Sequence, residues 1–310
     1  MEYCIYKFNF RTGVHFGNGM LNDSIYTFKA DQLFSALYIE AKKMGMEVEL
    51  FENVKTGKLL FSDAFPYINQ SYMIPKPLLH LEIYKEKTLW EKKKYKEMKF
   101  LPVEKLPEFL SGTMDFSQNN MDKLGVFEQH TKASVRMEEE TVPYRVGTFY
   151  FGTEDKNGME YKSGLYVIIG CQEEKQKQLM EELLESLSYT GIGGKKSSGL
   201  GKFELHYGKM PEEMKKRMKE KSERSLLLST ALPGEKELES ALINAEYLLE
   251  KRSGFVASDE YADEWRRKKD LYVFAAGSCF ENRFSGDIYD VSDHGRHAVY
   301  RYAKPLFMEV

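Results

Sequence analysis

Cysteine is scarce in this chain. Cys4, Cys171 and Cys279 stand far apart among 310 residues. No two of them have the spacing of a disulfide framework, so a cross-linked secreted scaffold is excluded and a reducing cytoplasm is the expected setting. Long apolar runs are missing too. The longest, such as residues 165–171 (LYVIIGC), are far too short to cross a bilayer, and no membrane association is expected. The opening residues, MEYCIYKFNF, hold no basic segment followed by an apolar one, so they do not read as a secretory signal. Charge of one sign is not in excess either. Lys plus Arg number 45 and Asp plus Glu 48, a net charge of -3. That sum argues weakly against a free-standing nucleic-acid binder and says nothing about local patches.

Catalytic signatures are also lacking. There is no G-x-S-x-G elbow and no kinase or zincin motif. His294 and His297 form an H-x-x-H pair near Asp290 and Asp293. No second cluster supplies further ligands, so no metal or other cofactor is expected. Against these absences stand 42% hydrophobic and 14% aromatic residues. That composition excludes disorder, and the length suits about two domains.

The pattern along the chain is orderly at its ends. Residues 2–10 alternate, with Cys4, Tyr6, Phe8 and Phe10 on one face of a strand. Residues 30–44 change period: Leu33, Phe34, Leu37, Tyr38 and Ala41 share a helical face, with Asp31 as N-cap. Residues 58–62 read as a short strand. Residues 66–160 show little continuous patterning and include a charged run at 85–99, either a solvated face or a basic surface turned to RNA. Residues 165–171 read as a buried strand, 174–188 as an amphipathic helix and 202–207 as a strand. The order is that of a ferredoxin-like βαββαβ unit over residues 1–210, with an insertion at about 66–160 in its central hairpin. Residues 211–224 read as a charged linker. Beyond them, strands at 224–232, 271–280 and 298–308 and a helix over 235–251, with Leu238, Ala241, Leu242, Ala245 and Leu249 inward, make a smaller α+β unit over 211–310. It reads as a second, degenerate ferredoxin-like domain.

The densest chemical signal is TGIGGKKSSGLGKF, residues 190–203. Glycines at 191, 193, 194, 199 and 201 permit positive φ and close backbone approach. Successive N–H groups can then form a phosphate-binding nest, with Lys195, Lys196, Ser197 and Ser198 adding charge and hydroxyl donors. It is not a Walker A loop, because Lys196 follows Gly194-Lys195 and Tyr189 replaces the first glycine. The bland reading is a flexible connection. His15, just after the first strand, reads as a general acid/base for metal-independent RNA cleavage, as a phosphate contact, or as a structural histidine. Residues 130–150 read as a hairpin arm carrying Lys132, Arg136 and Arg145 among aromatic residues, with Glu138, Glu139 and Glu140 at its tip, or as an ordinary surface hairpin.

Eight segments carry a resemblance in order: FRTGVHFG (10–17), ADQLFSAL (30–37), FSDAFPY (61–67), IPKP (74–77), HTKASVR (130–136), YRVGTFYF (144–151), GIGGKKSSGLGKF (191–203) and HAVYRYAKP (297–305). Together they resemble the fourth-subunit family of type III-A Csm CRISPR effector complexes, part of the RAMP superfamily. The resemblance implies a ferredoxin-like or RRM-like fold with a glycine-rich loop after the second helix. It implies a non-catalytic RNA-binding subunit in antiviral defence that caps the 5′ end of the CRISPR RNA and holds its repeat-derived tag. The partners implied are that RNA, the target RNA at the tag-proximal end, the large polymerase-like subunit and the adjacent backbone subunit. Residues Gly193, Gly194, Lys195, Lys196, Ser197, Ser198 and Gly199 would contact the tag, Arg11 and His15 would line the same cleft, and Lys132 and Arg136 would belong to an inserted thumb. Gly13 stands where the family commonly has proline, which implies a more flexible loop. The alternative function is a metal-independent RAMP endoribonuclease acting on repeat RNA through His15.

Overall fold

The alternation at the N-terminus sets the frame. Strand β1 (Glu2–Phe10) buries Tyr6 and Phe8 on one face and Ile5 on the other. The structure is a computed structural model and describes residues 1–80, 89–115, 120–133, 142–258 and 260–310. Two short strands follow, β2 (Phe16–Asn18) and β3 (Met20–Ile25), then helices α1 (Ala30–Met44) and α2 (Glu47–Lys55). Strands β4 (Leu59–Phe61), β5 (Phe65–Ile68) and β6 (Ser71–Pro75) come next, then α3 (Leu89–Glu97), β7 (Phe100–Pro102) and α4 (Leu106–Leu110). A long hairpin, β8 (Gly125–Ala133) with β9 (Pro143–Phe151), precedes a short one, β10 (Thr153–Glu154) with β11 (Glu160–Tyr161). Strand β12 (Ser163–Cys171), helix α5 (Glu174–Thr190) and strand β13 (Phe203–Gly208) complete the first half.

The main sheet runs β13-β1-β12-β5-β6-β7, with β4 also on β12. Every pairing in it is antiparallel. All nine residues of β12 are buried, because a strand covered on both faces needs a continuous apolar run rather than alternation. Helices α1 and α5 cover one face through Leu33, Phe34, Leu37, Leu183, Leu184 and Leu187. Gly45, at φ 71, closes α1 by donating to the Ala41 and Lys42 carbonyls. The N-cap of α1 is Lys29, not Asp31, which lies buried in the first turn.

The stretch with little continuous patterning holds short strands and helices together with the nine-residue strands β8 and β9. Residues 66–75 and 100–102 extend the main sheet, and segments of three to five residues are too brief to show a period. The hairpin expected over 130–150 is present, with β8 and β9 paired from Gly125↔Phe151 to Ala133↔Pro143. Its tip, including Arg136 and Glu138–Glu140, lies outside the described residues.

In the second half, the segment expected as a linker contains α6 (Glu212–Arg217), anchored by fully buried Met214. Strand β14 (Ser225–Leu227) follows, then α7 (Glu235–Ala241), β15 (Leu249–Arg252), β16 (Leu271–Phe274), β17 (Cys279–Phe280), β18 (Asp287–Asp290), β19 (Tyr300–Ala303) and β20 (Phe307–Glu309). The helix expected over 235–251 stops at Ala241. Asn244 turns left-handed at φ 50, and Leu249 pairs with Phe274 in a hairpin. Leu238, Leu242 and Leu249, expected inward, are exposed. Leu226 on β14, Leu228 just beyond it and Met308 on β20 pack with Ile5, Tyr166 and Ile168 on the sheet face that α1 and α5 leave open.

Asp63 joins the halves. Ser62 stands between β4 and β5, where its Oγ accepts the Ile168 N–H at 2.8 Å in place of a backbone carbonyl. The freed Asp63 donates its N–H to the Leu228 carbonyl at 2.8 Å. Its Oδ1 accepts the N–H groups of Ala30 and Thr230, each at 2.9 Å. Its Oδ2 lies 3.3 Å from Lys29 Nζ. One carboxylate thus caps α1 and holds the second half. Asp63→Ala would orphan buried donors and a cation, so a loss of about 3 kcal/mol is expected. Chemical denaturation checks this, and an unchanged midpoint would place the junction elsewhere.

Candidate nucleic-acid interface

The site forms where β1 and α5 end side by side. After Thr190 the chain enters its glycine-rich loop with Gly191 at φ 83, Gly193 at φ 100, Gly199 at φ 86 and Gly201 at φ 79. Ile192 donates to the Gly201 carbonyl at 3.0 Å, and Gly201 donates to Gly13 at 2.9 Å, which ties the loop to the turn after β1. A side chain at Gly193 would come within 2.9 Å of the His15 carbonyl oxygen, and one at Gly201 would overlap the Ile192 carbonyl. These glycines are required by backbone contact, which a merely flexible connection does not demand.

At the outer bend, Lys195 is left-handed at φ 57 and a short 3-10 turn spans Lys196–Ser198. Ser198 and Gly199 donate back to Lys195 and Lys196. Among the described residues, the N–H groups of Lys195, Lys196 and Ser197 make no backbone hydrogen bond. Three successive amides without a backbone partner, beside two lysines and two exposed hydroxyls, are the donor types that an anion-binding nest uses.

The hairpin arm meets this loop. Lys195 Nζ lies 4.9 Å from the centre of the Tyr144 ring, and Tyr144 stands opposite Lys132 in the β8–β9 register. Loop and hairpin therefore share one surface near the tip end of the β8–β9 ladder, where the Tyr144 ring faces the Lys195 ammonium. Tyr144 was not singled out from the sequence. The alternation of YRVGTFYF was the available signal, but nothing local reveals its partner 51 positions away in the loop.

His15 has a different place from the one an exposed acid/base needs. It is buried, and its Nδ1 donates to the Gly147 carbonyl at 2.7 Å. Its backbone carbonyl accepts the Gly194 N–H at 2.8 Å. His15 thus pins the glycine loop to the hairpin and presents little to solvent. Gly13 is buried as well, and a side chain there would overlap Thr148. Glycine at this position answers close packing against β9. Arg11 is exposed and pairs with Glu204 on β13. That hydrogen bond, then one from His206, holds the Glu204 carboxyl below its usual range. Its backbone N–H donates to the Lys202 carbonyl at 3.0 Å, so Arg11 meets the glycine-rich segment at its outgoing end and not at residues 193–199.

The histidine pair near the C-terminus is not gathered into a cluster. His294 is exposed, and His297 Nε2 lies 3.0 Å from Ser258 Oγ. Among the described residues, no group of three or more His, Cys, Asp or Glu is placed to hold a metal. No helix among them is long and apolar enough to cross a membrane.

The fold is one found in CRISPR interference complexes. A chain of the crystal structure of the Csm3-Csm4 subcomplex in the type III-A CRISPR-Cas interference complex matches with a TM-score of 0.65 and 18% identity, covering 100% of this chain and 99% of that one. A chain of the Csm1-Csm4 cassette in complex with pppApA matches with a TM-score of 0.62 and 18% identity, covering 100% and 98%. The model of the CRISPR Csm4 C-terminal domain matches residues 220–310. The CRISPR system protein Csm4 of Mycobacterium tuberculosis (strain CDC 1551 / Oshkosh) is 39% identical over 312 residues, covering 99% of this chain and 98% of its own length. That of Streptococcus thermophilus is 35% identical over 319 residues, covering 100% and 99%. The chain belongs to the Csm4 family.

The backbone argument predicts that Gly201→Ala, at φ 79 and against the Ile192 carbonyl, costs about 2 kcal/mol. Hydrogen exchange should then show lost protection at the Ile192 and Gly201 amides. Unchanged protection would mean that the loop does not need this contact.

Proposed function

We propose that this chain is the RNA-binding subunit that caps the 5′ end of the CRISPR RNA in a type III-A interference complex. The loop 193–199 holds the phosphate backbone of the 5′ tag, and the outer part of the hairpin, at Lys132 and Tyr144, continues that surface toward the target RNA. The observation that carries this reading is the run of free amides at Lys195, Lys196 and Ser197, set beside a cation–aromatic pair. Its neighbours in the complex are the large polymerase-like subunit and the first backbone subunit. The Csm1-Csm4 and Csm3-Csm4 structures that share its fold support that assembly. The β13-β1-β12-β4 order, all antiparallel, supports a ferredoxin-like reading of residues 1–210 with the arm inserted near 66–160. Residues 211–310 form a second and degenerate unit. The setting is cytoplasmic.

No catalytic role is assigned. Metal-independent cleavage of repeat RNA needs an accessible acid/base, and His15 is buried with Nδ1 committed to Gly147. With EDTA present, purified protein should leave repeat RNA intact. Specific cleavage abolished by His15→Ala would reverse the assignment.

Two phosphate contacts have a defined salt signature. In the assembled complex, Lys195→Ala with Lys196→Ala should weaken tag binding across sequences. It should also reduce the slope of log affinity against log salt by about 1.4, the value for two single-strand contacts. Filter binding over a salt series measures it. A slope equal to the parent's removes these lysines from the interface.

A further inference from the structure

A second cavity lies away from the loop. A groove of about 780 Å³ runs between α1 and the C-terminal half, a size typical of small-molecule sites. Phe34, Tyr38, Ile39, Val256, Val299 and Tyr300 give it apolar walls. The Tyr38 and Tyr300 rings meet edge-on with centres 5.9 Å apart. Ser35, Ser258 and His297 supply polar groups at its lining.

Lys268 also lines this groove. Its ammonium makes no hydrogen bond or ion pair with a described residue, and burial, with Arg301 and Arg252 nearby, holds its pKa below the ordinary lysine value. The neighbouring charges explain why it is left over. Arg252 takes Asp31 through two hydrogen bonds, at 3.1 and 2.8 Å, and Glu250 at 3.0 Å. Lys29 takes Asp63 at 3.3 Å and Glu250 at 3.1 Å. Arg301 Nη1 stands 4.0 Å from Asp31 and is buried without a hydrogen-bond partner. Asp270, a further carboxylate, is paired with Lys251 at 2.7 Å. The groove's own carboxylates are Glu260, 3.4 Å from Lys42, and Glu47 on α2, which lies beside Tyr38 and whose Oε2 is buried without a hydrogen-bond partner among the described residues. Lys29, Arg252, Arg301 and Lys268 thus crowd around Asp31, Asp63 and Glu250, with one cation in excess.

A partly buried cation without a counter-charge costs free energy unless an anion arrives. Aromatic walls favour a planar ring. A phosphate and a planar ring occur together in a nucleotide. We infer that this groove binds a nucleotide, with a phosphate on Lys268 and the base against Tyr38 and Tyr300. The inference stands apart from the RNA role of the glycine loop and survives if that role fails.

Calorimetry on the full chain tests it with AMP, adenosine and inorganic phosphate as probes. AMP should bind, and adenosine should bind roughly tenfold more weakly, for loss of a charge-assisted contact. Lys268→Met should weaken AMP roughly tenfold and leave adenosine within about twofold, while Lys268→Arg restores AMP. Ala257→Trp, on the exposed rim of the groove, fills it without touching the charge cluster and should abolish binding even if the lysine variant misfolds. Competition by a single-stranded oligoadenylate, run on the Lys195→Ala, Lys196→Ala chain, separates the two sources. Displacement of AMP assigns the groove to a nucleotide of RNA, and its failure assigns it to a free nucleotide. No binding of AMP or oligoadenylate at about 1 mM, or equal AMP affinity in Lys268→Met, overturns the inference.

Discussion

One buried carboxylate makes the rest of the architecture possible. Asp63 sits where the chain alongside β12 breaks between β4 and β5, and its oxygens face the first turn of α1, the Thr230 amide and Lys29. A carboxylate in that position is tolerable only with donors on several sides. It therefore fixes three things relative to one another: the main sheet, the helix that covers one face, and the half that covers the other. The nearby pairs Arg252–Asp31 and Lys29–Glu250 extend the same junction. With both faces of β12 sealed at this end, the site is left to the far end of the sheet, where β1 and α5 terminate.

There the governing constraint is backbone proximity. The glycine loop, the turn at Gly13–His15 and strand β9 approach within hydrogen-bonding distance of each other, and His15 bonds to both neighbours. Its imidazole is a strut whose consequence is the orientation of Lys195 toward Tyr144. The positive potential is local, built from a few side chains and free amides. The proposed RNA-facing surface is thereby compatible with a chain whose net charge is -3, because the proposed role requires only a local cradle.

The long, strongly periodic elements were legible in the sequence. The face of β1, the apolar run of β12, the stripes of α1 and α5 and the glycine loop all follow from spacing that is local to each. Three kinds of feature were not. Strands β5, β6 and β7 are too short to show a period. Residues 235–251 carry a helical stripe that the left-handed Asn244 and the β15–β16 pairing override. The roles of Asp31, Asp63, His15 and Tyr144 depend on partners far away in sequence. Asp31 looked like a cap and is an ion-pair partner of Arg252, 221 positions on. The resemblance to known subunits supplied what periodicity lacked, and it pointed to Lys195 and Lys196 without showing that Tyr144 joins them.

The central claim is that the glycine loop and the outer part of the hairpin together touch guide RNA. Photocrosslinking of the assembled complex, with mass spectrometric mapping of the RNA-linked peptides, tests it most directly. The account predicts crosslinks from the 5′ tag to the loop peptide, residues 191–202, and to the outer hairpin around Lys132 and Tyr144. Tag crosslinks confined to other surfaces of this chain, with none in those two peptides, would contradict it.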